Sequence, residues 1–169
     1  YAVMSFLMTA VPLQIVNVSL LGEALNARVI QWHVIAMFAP SFFTGSLITR
    51  FGIRAIMTAG LVLYLAGIIL ALSGLQFWYY FATLFFVGLG WNFLYIAGTS
   101  LVTLVTEPEE RGRVQGITDM TVFTAVACAS LSAGIIHTIG GWHIMVLAAL
   151  LPISIIGVTI AMTSKPSLP

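Results

Sequence analysis

Long apolar segments separated by short polar turns form the main pattern of this sequence. There are six: Tyr1–Val18, Ala27–Thr49, Ala55–Gly74, Phe77–Thr103, Val114–Thr138 and Trp142–Met162. Each is close to or above the length of about 20 residues that an α-helix needs to cross a bilayer core. Short connections make consecutive helices antiparallel neighbours. We therefore expect an all-α membrane protein, a six-transmembrane-helix bundle that forms a single domain over residues 1–169.

The composition supports a membrane protein. Hydrophobic residues make up 60% of the 169 residues and charged residues only 7%, whereas soluble domains have about 25% charged residues. A transmembrane β-barrel would alternate apolar and polar residues, and a net charge of +1 gives no basic surface for nucleic acid. The sequence has no nucleophile triad, phosphate-binding glycine loop or closed zinc site, so we expect no enzyme and no cofactor.

The basic residues predict an orientation. Arg50, Arg54, Arg111, Arg113 and Lys165 fall on one side of the six-helix topology, and Arg28 falls on the other. Basic loops face the cytoplasm in most membrane proteins, so the first group should lie there, together with both chain ends. Aromatic residues at the opposite helix ends form half of an interfacial belt, which agrees with this orientation. They are Trp32, Trp78, Tyr79, Tyr80 and Trp142.

Small residues and prolines predict where helices approach and bend. Small side chains that recur on one helix face let two backbones come close in a bilayer. They are Gly88, Gly90 and Gly98 in the fourth segment and Ala125, Ala129 and Ala133 in the fifth. A proline inside a helix removes a backbone hydrogen bond and kinks it. Pro12, Pro40 and Pro152 lie inside predicted helices.

The turn after the second segment has the sequence Gly45-Ser-Leu-Ile-Thr49-Arg50-Phe-Gly52-Ile-Arg54. It resembles the Gly-x-x-x-Asp-Arg-x-Gly-Arg signature of the major facilitator superfamily, with Thr49 in place of the Asp. The segment from Glu107 to Gly116 resembles the loop between helices four and five of a half of such a transporter. The resemblance implies helices seven to twelve of a major facilitator fold in a bacterial inner membrane. It also implies a gating group: Gly45, Arg50, Gly52, Arg54, Glu110 and Arg111.

Two pairs of residues suggest a narrower resemblance. Met4-x-x-x-Met8 and His33-x-x-x-Met37 are similar to pairs on helices seven and eight of the CcoA-type copper importers. Residues four apart share one helix face, so the pairs would form a ladder between the first two helices. Thioethers and imidazole suit Cu(I), which implies that copper is the transported substrate. Relatives of that group include riboflavin permeases, so the resemblance leaves the cargo open, and the Met pair alone is ordinary core.

Several further polar residues are candidates for a functional or a structural role. Trp91 and Asn92 would line a cavity for an organic substrate, or Asn92 would bond a neighbouring helix. Asp119, early in the fifth helix, should complement the positive end of the helix dipole, with proton transfer as the alternative. His137 and His143 flank the Gly140-Gly141 turn and are expected to be solvated.

Three functions therefore remain open: a copper importer working by alternating access, an organic-solute permease with riboflavin-like cargo, and a non-transporting membrane subunit. The expected partners are membrane lipid and a missing N-terminal six-helix half, with other membrane subunits as an open alternative. The first residue, Tyr1, begins inside an apolar run, so we do not expect it to be the native start.

Overall fold

A computed structural model describes residues 1–162, and every regular element in that range is a helix. The elements are α1 (Ala2–Leu13), a π-helical turn (Gln14–Val18), α2 (Glu23–Phe38), α3 (Ser41–Phe51), α4 (Ile53–Ser73), α5 (Phe77–Val105), α6 (Arg111–Ala148) and α7 (Leu150–Met162). Lys165, which we predict to be cytoplasmic, and the C-terminal end lie outside the described residues.

The second predicted segment is broken at Pro40. α2 and α3 meet there at an angle of 42°, because proline has no N–H to donate and its ring crowds the carbonyl one turn earlier. The kink predicted at Pro40 is confirmed. Pro12 lies near the end of α1, directly before the π-helical turn, whereas Pro152 lies in the first turn of α7, where its missing N–H removes no helical bond.

Helix α6 reverses direction at Gly141, whose φ of 69° and ψ of −175° are not helical. Glycine adopts this conformation readily because it has no Cβ. We call residues 111–140 the first arm and residues 142–162, which include α7, the second arm. The Gly141 turn is where the sequence predicts a connection between two spans.

Side-chain contacts on the two arms establish the reversal. Ser130 Oγ lies 2.7 Å from Ser5 Oγ, and His137 Nε2 lies 2.8 Å from Gln14 Oε1, so the first arm runs parallel to α1. The Trp142 indole donates to the Ala71 carbonyl at 2.8 Å, and Arg54 Nη2 donates to the Ala161 carbonyl at 3.4 Å. The second arm therefore runs antiparallel to α4.

Helix α5 is the centre of the bundle, because it packs on both α2 and α4. Close contacts of Gly60 with Gly90 and of Gly67 with Thr83 make α4 and α5 antiparallel. A Cβ added at Gly90 would lie 2.8 Å from the Gly60 carbonyl oxygen, so both backbones need glycine there. The close approach predicted for this part of the fourth segment is thus present, although Gly98, also in α5, faces open space.

Three stretches of the described chain are long and apolar enough to cross a membrane: Ile53–Ser73, Phe77–Val105 and Arg111–Met162. The bent pair α2–α3 gives a fourth, and Ala2–Val18 is a shorter apolar helix. Because the longest stretch folds back at Gly141, the described chain forms six helical segments of alternating direction. This confirms the predicted fold class, an all-α six-helix membrane bundle.

The alternation gives the bundle two distinct ends. We call the end with Arg50, Arg54 and Arg111 the basic end, since α3 finishes there and α4 and α6 begin there. The opposite, aromatic end carries Trp78 at the start of α5 and the Tyr80–Trp142 pair, whose ring centroids lie 5.4 Å apart. The position of these aromatic residues, opposite Arg50, Arg54 and Arg111, agrees with the predicted belt.

Candidate functional site

A cavity of about 310 Å³ opens between α1, α5 and the first arm, with α4 and α7 behind it. Its volume is at the lower end of the range of about 300–1,000 Å³ that small-molecule sites occupy. The lining divides into an aromatic wall and a polar wall, which we define by Tyr1, Trp91 and Tyr95 and by Thr99, Gln115 and Thr118, respectively.

The aromatic wall is a compact group of three rings. Trp91 and Tyr95, one turn apart on α5, stack with centroids 5.1 Å apart and an interplanar angle of 9°. Tyr1 stands edge-on to both, with centroid distances of 4.9 Å to Trp91 and 5.0 Å to Tyr95. Phe38 of α2 closes the far side of Trp91 at 5.9 Å. Trp91 is only 4% exposed, so these mutually packed rings form a rigid aromatic border of the cavity.

The polar wall presents mainly acceptor atoms. The hydroxyls of Thr99 and Thr118 donate to backbone carbonyls one turn earlier in their own helices, Tyr95 and Val114. Their oxygens still have lone pairs for other donors. Gln115 donates through Nε2 to Asp119 Oδ1 at 2.9 Å, which leaves its side-chain carbonyl as an acceptor. This wall therefore fits a ligand that carries hydroxyl or N–H groups.

The two neighbours Trp91 and Asn92 face different parts of the bundle. Trp91 lies on the cavity, and its indole N–H has no partner among the described residues. The Asn92 amide is fully buried and donates to the Met37 carbonyl at 2.7 Å and to Ser41 Oγ at 2.6 Å. It also accepts from the Thr44 hydroxyl at 2.6 Å. Asn92 thus holds the α2–α3 break, and only Trp91 of the predicted pair lines this cavity.

His33 is fully buried where α2 crosses α5. Its Nδ1 lies 2.6 Å from the Leu84 carbonyl oxygen and so carries the proton in this contact. Nε2 is buried without a partner among the described residues. Gly88 permits this approach, since a Cβ there would meet the His33 carbonyl oxygen at 2.7 Å. Met37 is also buried, one turn along the same helix.

The methionine pair of α1 lies in a different contact. Met4 is buried, Met8 is half-buried, and α1 packs mainly on the first arm, as the Ser5–Ser130 bond shows. α2 packs mainly on α5. Met4 and Met37 are nevertheless buried in the same hydrophobic core cluster, and Met8 packs against it. The described residues contain no group of three or more His, Cys, Asp or Glu side chains suited to a metal ion. The metal ladder stays a prediction.

The turn from Arg50 to Arg54 contains three of the predicted gating residues. Gly52 joins α3 to α4 with φ 85°, a conformation that favours glycine. Arg54 donates to the carbonyl of Ala161 at the end of the second arm, where cations also complement the helix dipole. Arg50 is exposed and lies over the Phe51 ring at 5.2 Å from its centroid.

The remaining predicted gating residues make few contacts. Gly45 is exposed, and a Cβ added to it would meet nothing within 4 Å. Glu110 precedes α6, and its backbone N–H donates to the Glu107 carbonyl at 3.0 Å. Arg111 lines a second cavity of about 290 Å³ at the basic end, and Gln115 forms part of both cavities. Their gating role stays a prediction.

Two sequence expectations change with the structure. α6 begins at Arg111, so Asp119 lies about two turns inside the helix. The dipole effect is confined to the first turn, so it does not explain Asp119. His137, expected to be solvated, is half-buried and bonded to Gln14 at the π-helical turn, whereas His143 is exposed as expected.

Sequence reasoning missed Tyr1, Tyr95 and Gln115 as cavity residues. The signal for Tyr95 is its spacing of four from Trp91, which puts two large rings on one helix face. Gln115 and Asp119 have the same spacing. Tyr1 carries no such signal, since its place beside α5 depends on tertiary packing.

Helices of this length and composition define a multi-pass membrane protein. Across residues 1–168 the sequence matches the Major Facilitator Superfamily, and the chain belongs to that family of transporters. The narrower resemblance to copper importers is not confirmed by the relatives found.

Three curated relatives are similar to the chain. It is 48% identical over 145 residues to the riboflavin transporter RfnT of Brucella anthropi, covering 85% of this chain and 36% of that protein. It is 36% identical over 110 residues to the uncharacterized MFS-type transporter YdeG of Bacillus subtilis, covering 64% and 26%. It is 30% identical over 138 residues to YddS of the same organism, covering 79% and 31%. The chain thus spans roughly a third of the length of these relatives.

Proposed function

We propose that this chain is one half of a secondary transporter for a planar heteroaromatic solute with a polar chain, such as riboflavin. The observation that carries the proposal is the stacked Trp91–Tyr95 pair facing a wall of acceptor atoms in one cavity. The similarity to a riboflavin transporter supports the same cargo class. Of the alternatives left open by the sequence, this one agrees best with both findings, and copper import has no support from the relatives.

The two walls suit the two parts of such a solute. A fused ring system lies against the Trp91 and Tyr95 side of the cavity, where stacking contributes about 1–3 kcal/mol per ring by analogy with nucleobases. A hydroxylated chain extends along Thr99, Gln115 and Thr118, whose oxygens accept its hydrogen bonds. Because neither wall carries a basic residue, the cavity favours a neutral cargo over an anionic one.

Transport would follow from rocking of this bundle against a second six-helix half, around a site near the middle of the membrane. The basic end would face the cytoplasm of a bacterial inner membrane, because basic loops are retained there. In this scheme the Arg54 contact with the end of the second arm holds the basic end in one conformation. Arg50, Glu110 and Arg111 are further members of that gate.

Uptake of radiolabelled riboflavin by cells that lack their own uptake system tests the proposal. We expect the full-length gene product to support uptake and Trp91→Ala to raise the half-saturating concentration about tenfold, equivalent to about 1.4 kcal/mol of lost stacking. Trp78→Ala is the matched control, since Trp78 begins the same helix but is 70% exposed at the aromatic end. Equal effects of the two substitutions, or no uptake by the wild type, would refute this assignment.

Copper remains the rival cargo because the buried, unpartnered Nε2 of His33 is free to bind a soft cation. The same cells distinguish the two. Copper accumulation that depends on His33 and on Met8, together with riboflavin uptake that does not exceed background, would favour the rival.

A further inference from the structure

Gln115 lies where two cavities of the bundle adjoin. It lines both the cavity of about 310 Å³ and the cavity of about 290 Å³ at the basic end. On α5, Thr99 follows Trp91 by about two turns in the direction of the basic end, so the polar wall lies on the basic-end side of the aromatic wall. A cargo whose ring system lies against Trp91 and Tyr95 therefore directs its chain toward Gln115.

The Gln115 amide is held in one orientation by Asp119. Its Nε2 lies 2.9 Å from Asp119 Oδ1, and the spacing of four residues puts both side chains on one face of the first arm. A carboxylate has no proton to donate, so only the NH2 group of the amide can face it. The carbonyl oxygen of Gln115 therefore points away from Asp119, and it accepts no hydrogen bond from the residues that the structure describes.

The hydroxyl groups around Gln115 already use their protons. Thr99 and Thr118 of the first cavity, like Thr103 and Thr106 of the second, donate to backbone carbonyls of their own helices at 2.7–3.1 Å. Each of them can donate to a ligand only by giving up that bond, whereas its oxygen can accept at no such cost. The surroundings of Gln115 thus match a ligand chain that donates hydrogen bonds.

Asp119 can act on a ligand only through Gln115, because it is not among the residues that line either cavity. A hydrogen bond to a carboxylate is charge-assisted and stronger than one between neutral groups. It keeps the long Gln115 side chain in place, and a side chain that is already ordered binds a ligand without a further entropy cost. This gives a role to an ionisable residue inside a membrane-spanning helix, where such residues are costly.

We propose that Gln115 is the specificity-determining residue for the hydroxylated chain of the cargo and that Asp119 is its positioning residue. The fixed carbonyl of Gln115 accepts a hydrogen bond from a hydroxyl group of the chain. A planar solute that lacks the chain finds no partner there and binds more weakly. The inference rests on the proposed function, and it adds which pair of residues recognises the polar part of the cargo.

Binding of riboflavin and of lumiflavin to the purified full-length protein in lipid nanodiscs tests the role of Gln115. Lumiflavin has the same ring system with a methyl group in place of the hydroxylated chain. The ratio of the lumiflavin to the riboflavin dissociation constant therefore measures recognition of the chain. We expect Gln115→Met, which keeps the length of the side chain without its amide, to lower this ratio about fivefold. Gln31→Met is the matched control, since Gln31 is exposed on α2.

Asp119→Leu tests the positioning role. It leaves Gln115 free to rotate, so that side chain must be ordered on binding, and we expect the ratio to fall about threefold. Added to Gln115→Met, the same change should lower the ratio no further, because no amide remains to be positioned. A further fall in the double variant would overturn the positioning role. So would equal weakening of riboflavin and lumiflavin binding by Asp119→Leu alone, since that is the result of a purely structural role.

The outcomes separate this inference from the proposed function. Absence of riboflavin binding by the wild type would overturn both. Equal affinity of the wild type for riboflavin and lumiflavin, or an unchanged ratio in Gln115→Met, would overturn the role of Gln115 and leave the cargo assignment intact. If Gln115→Met does not fold, Gln115→Asn replaces it. That change withdraws the carbonyl by one methylene and should also lower the ratio, and an unchanged ratio would again overturn the inference.

Discussion

The two faces of α5 differ in residues and in role: one packs against a helix, and the other borders a cavity. On the face toward α4, Gly90 lies against Gly60, and Thr83 and Val87 lie against Gly67. The face toward α1 and the first arm carries large rings and hydroxyl-bearing side chains around a cavity. In a bilayer, close backbone packing is a main source of helix association. The α4 contact therefore fixes where α5 lies, and the neighbouring face, with Trp91 and Tyr95, borders the cavity.

The largest effect on stability is expected from adding a methyl group at the Gly60–Gly90 contact. In Gly90→Ala, the added Cβ would lie 2.8 Å from the Gly60 carbonyl oxygen, so the backbones must separate. Overpacking of this kind typically costs about 1–3 kcal/mol. We expect a lower melting temperature in detergent and less folded protein in the membrane.

Gly98→Ala is the matched control for that change, because it lies on the same helix and its added Cβ would meet nothing within 4 Å. Gly98 also lines the cavity, so its effect should appear in cargo affinity rather than in melting temperature. If the two variants lower the melting temperature equally, the α4–α5 contact is no more sensitive to an added methyl group than the cavity face of α5.

An intermediate effect is expected for Asn92→Ala, which removes three hydrogen bonds at the α2–α3 break. Unpaired buried polar groups cost about 1–3 kcal/mol, partly recovered as the break relaxes. The variant should therefore be less stable in thermal unfolding, with riboflavin affinity changed less than in Trp91→Ala. If the variant loses riboflavin affinity but keeps the wild-type melting temperature, Asn92 acts in cargo binding instead.

The smallest effect is expected for Ser130→Ala, in the contact between the first arm and α1. It removes the 2.7 Å bond with Ser5 and the 3.5 Å bond donated by Thr9. Side-chain hydrogen bonds between membrane helices average about 0.6 kcal/mol, so the melting temperature should fall only slightly. A loss as large as that of Gly90→Ala would mean that polar contacts, and not glycine packing, hold this bundle together.

The fold was largely predictable from the sequence, and the site only in part. Continuous apolar runs predict spans because the bilayer demands them, and the lack of an N–H at Pro40 predicts the break at that residue. Trp91 and Asn92 are adjacent in the sequence, yet they point about 100° apart around the helix. Which of them lines the cavity depends on the neighbours of α5, and local sequence does not encode those neighbours.

The metal ladder, which stays a prediction, depends on the same kind of information. Spacing puts Met4 with Met8 and His33 with Met37 on shared helix faces. It does not reveal that α1 turns toward the first arm, where Ser5 meets Ser130. Pairing two helices because they are consecutive assumes that chain order equals packing order. In this bundle each of them finds its principal partner later in the chain.

The reversal at Gly141 has a consequence for how the protein is made. A single residue with φ 69° joins the two arms, so almost no polar backbone separates them. Two apolar helices linked so tightly leave the ribosome one after the other and pair their backbones into a hairpin with a minimal polar link. We therefore predict that the two arms enter the bilayer together as one helical hairpin, with Gly141 at its tip.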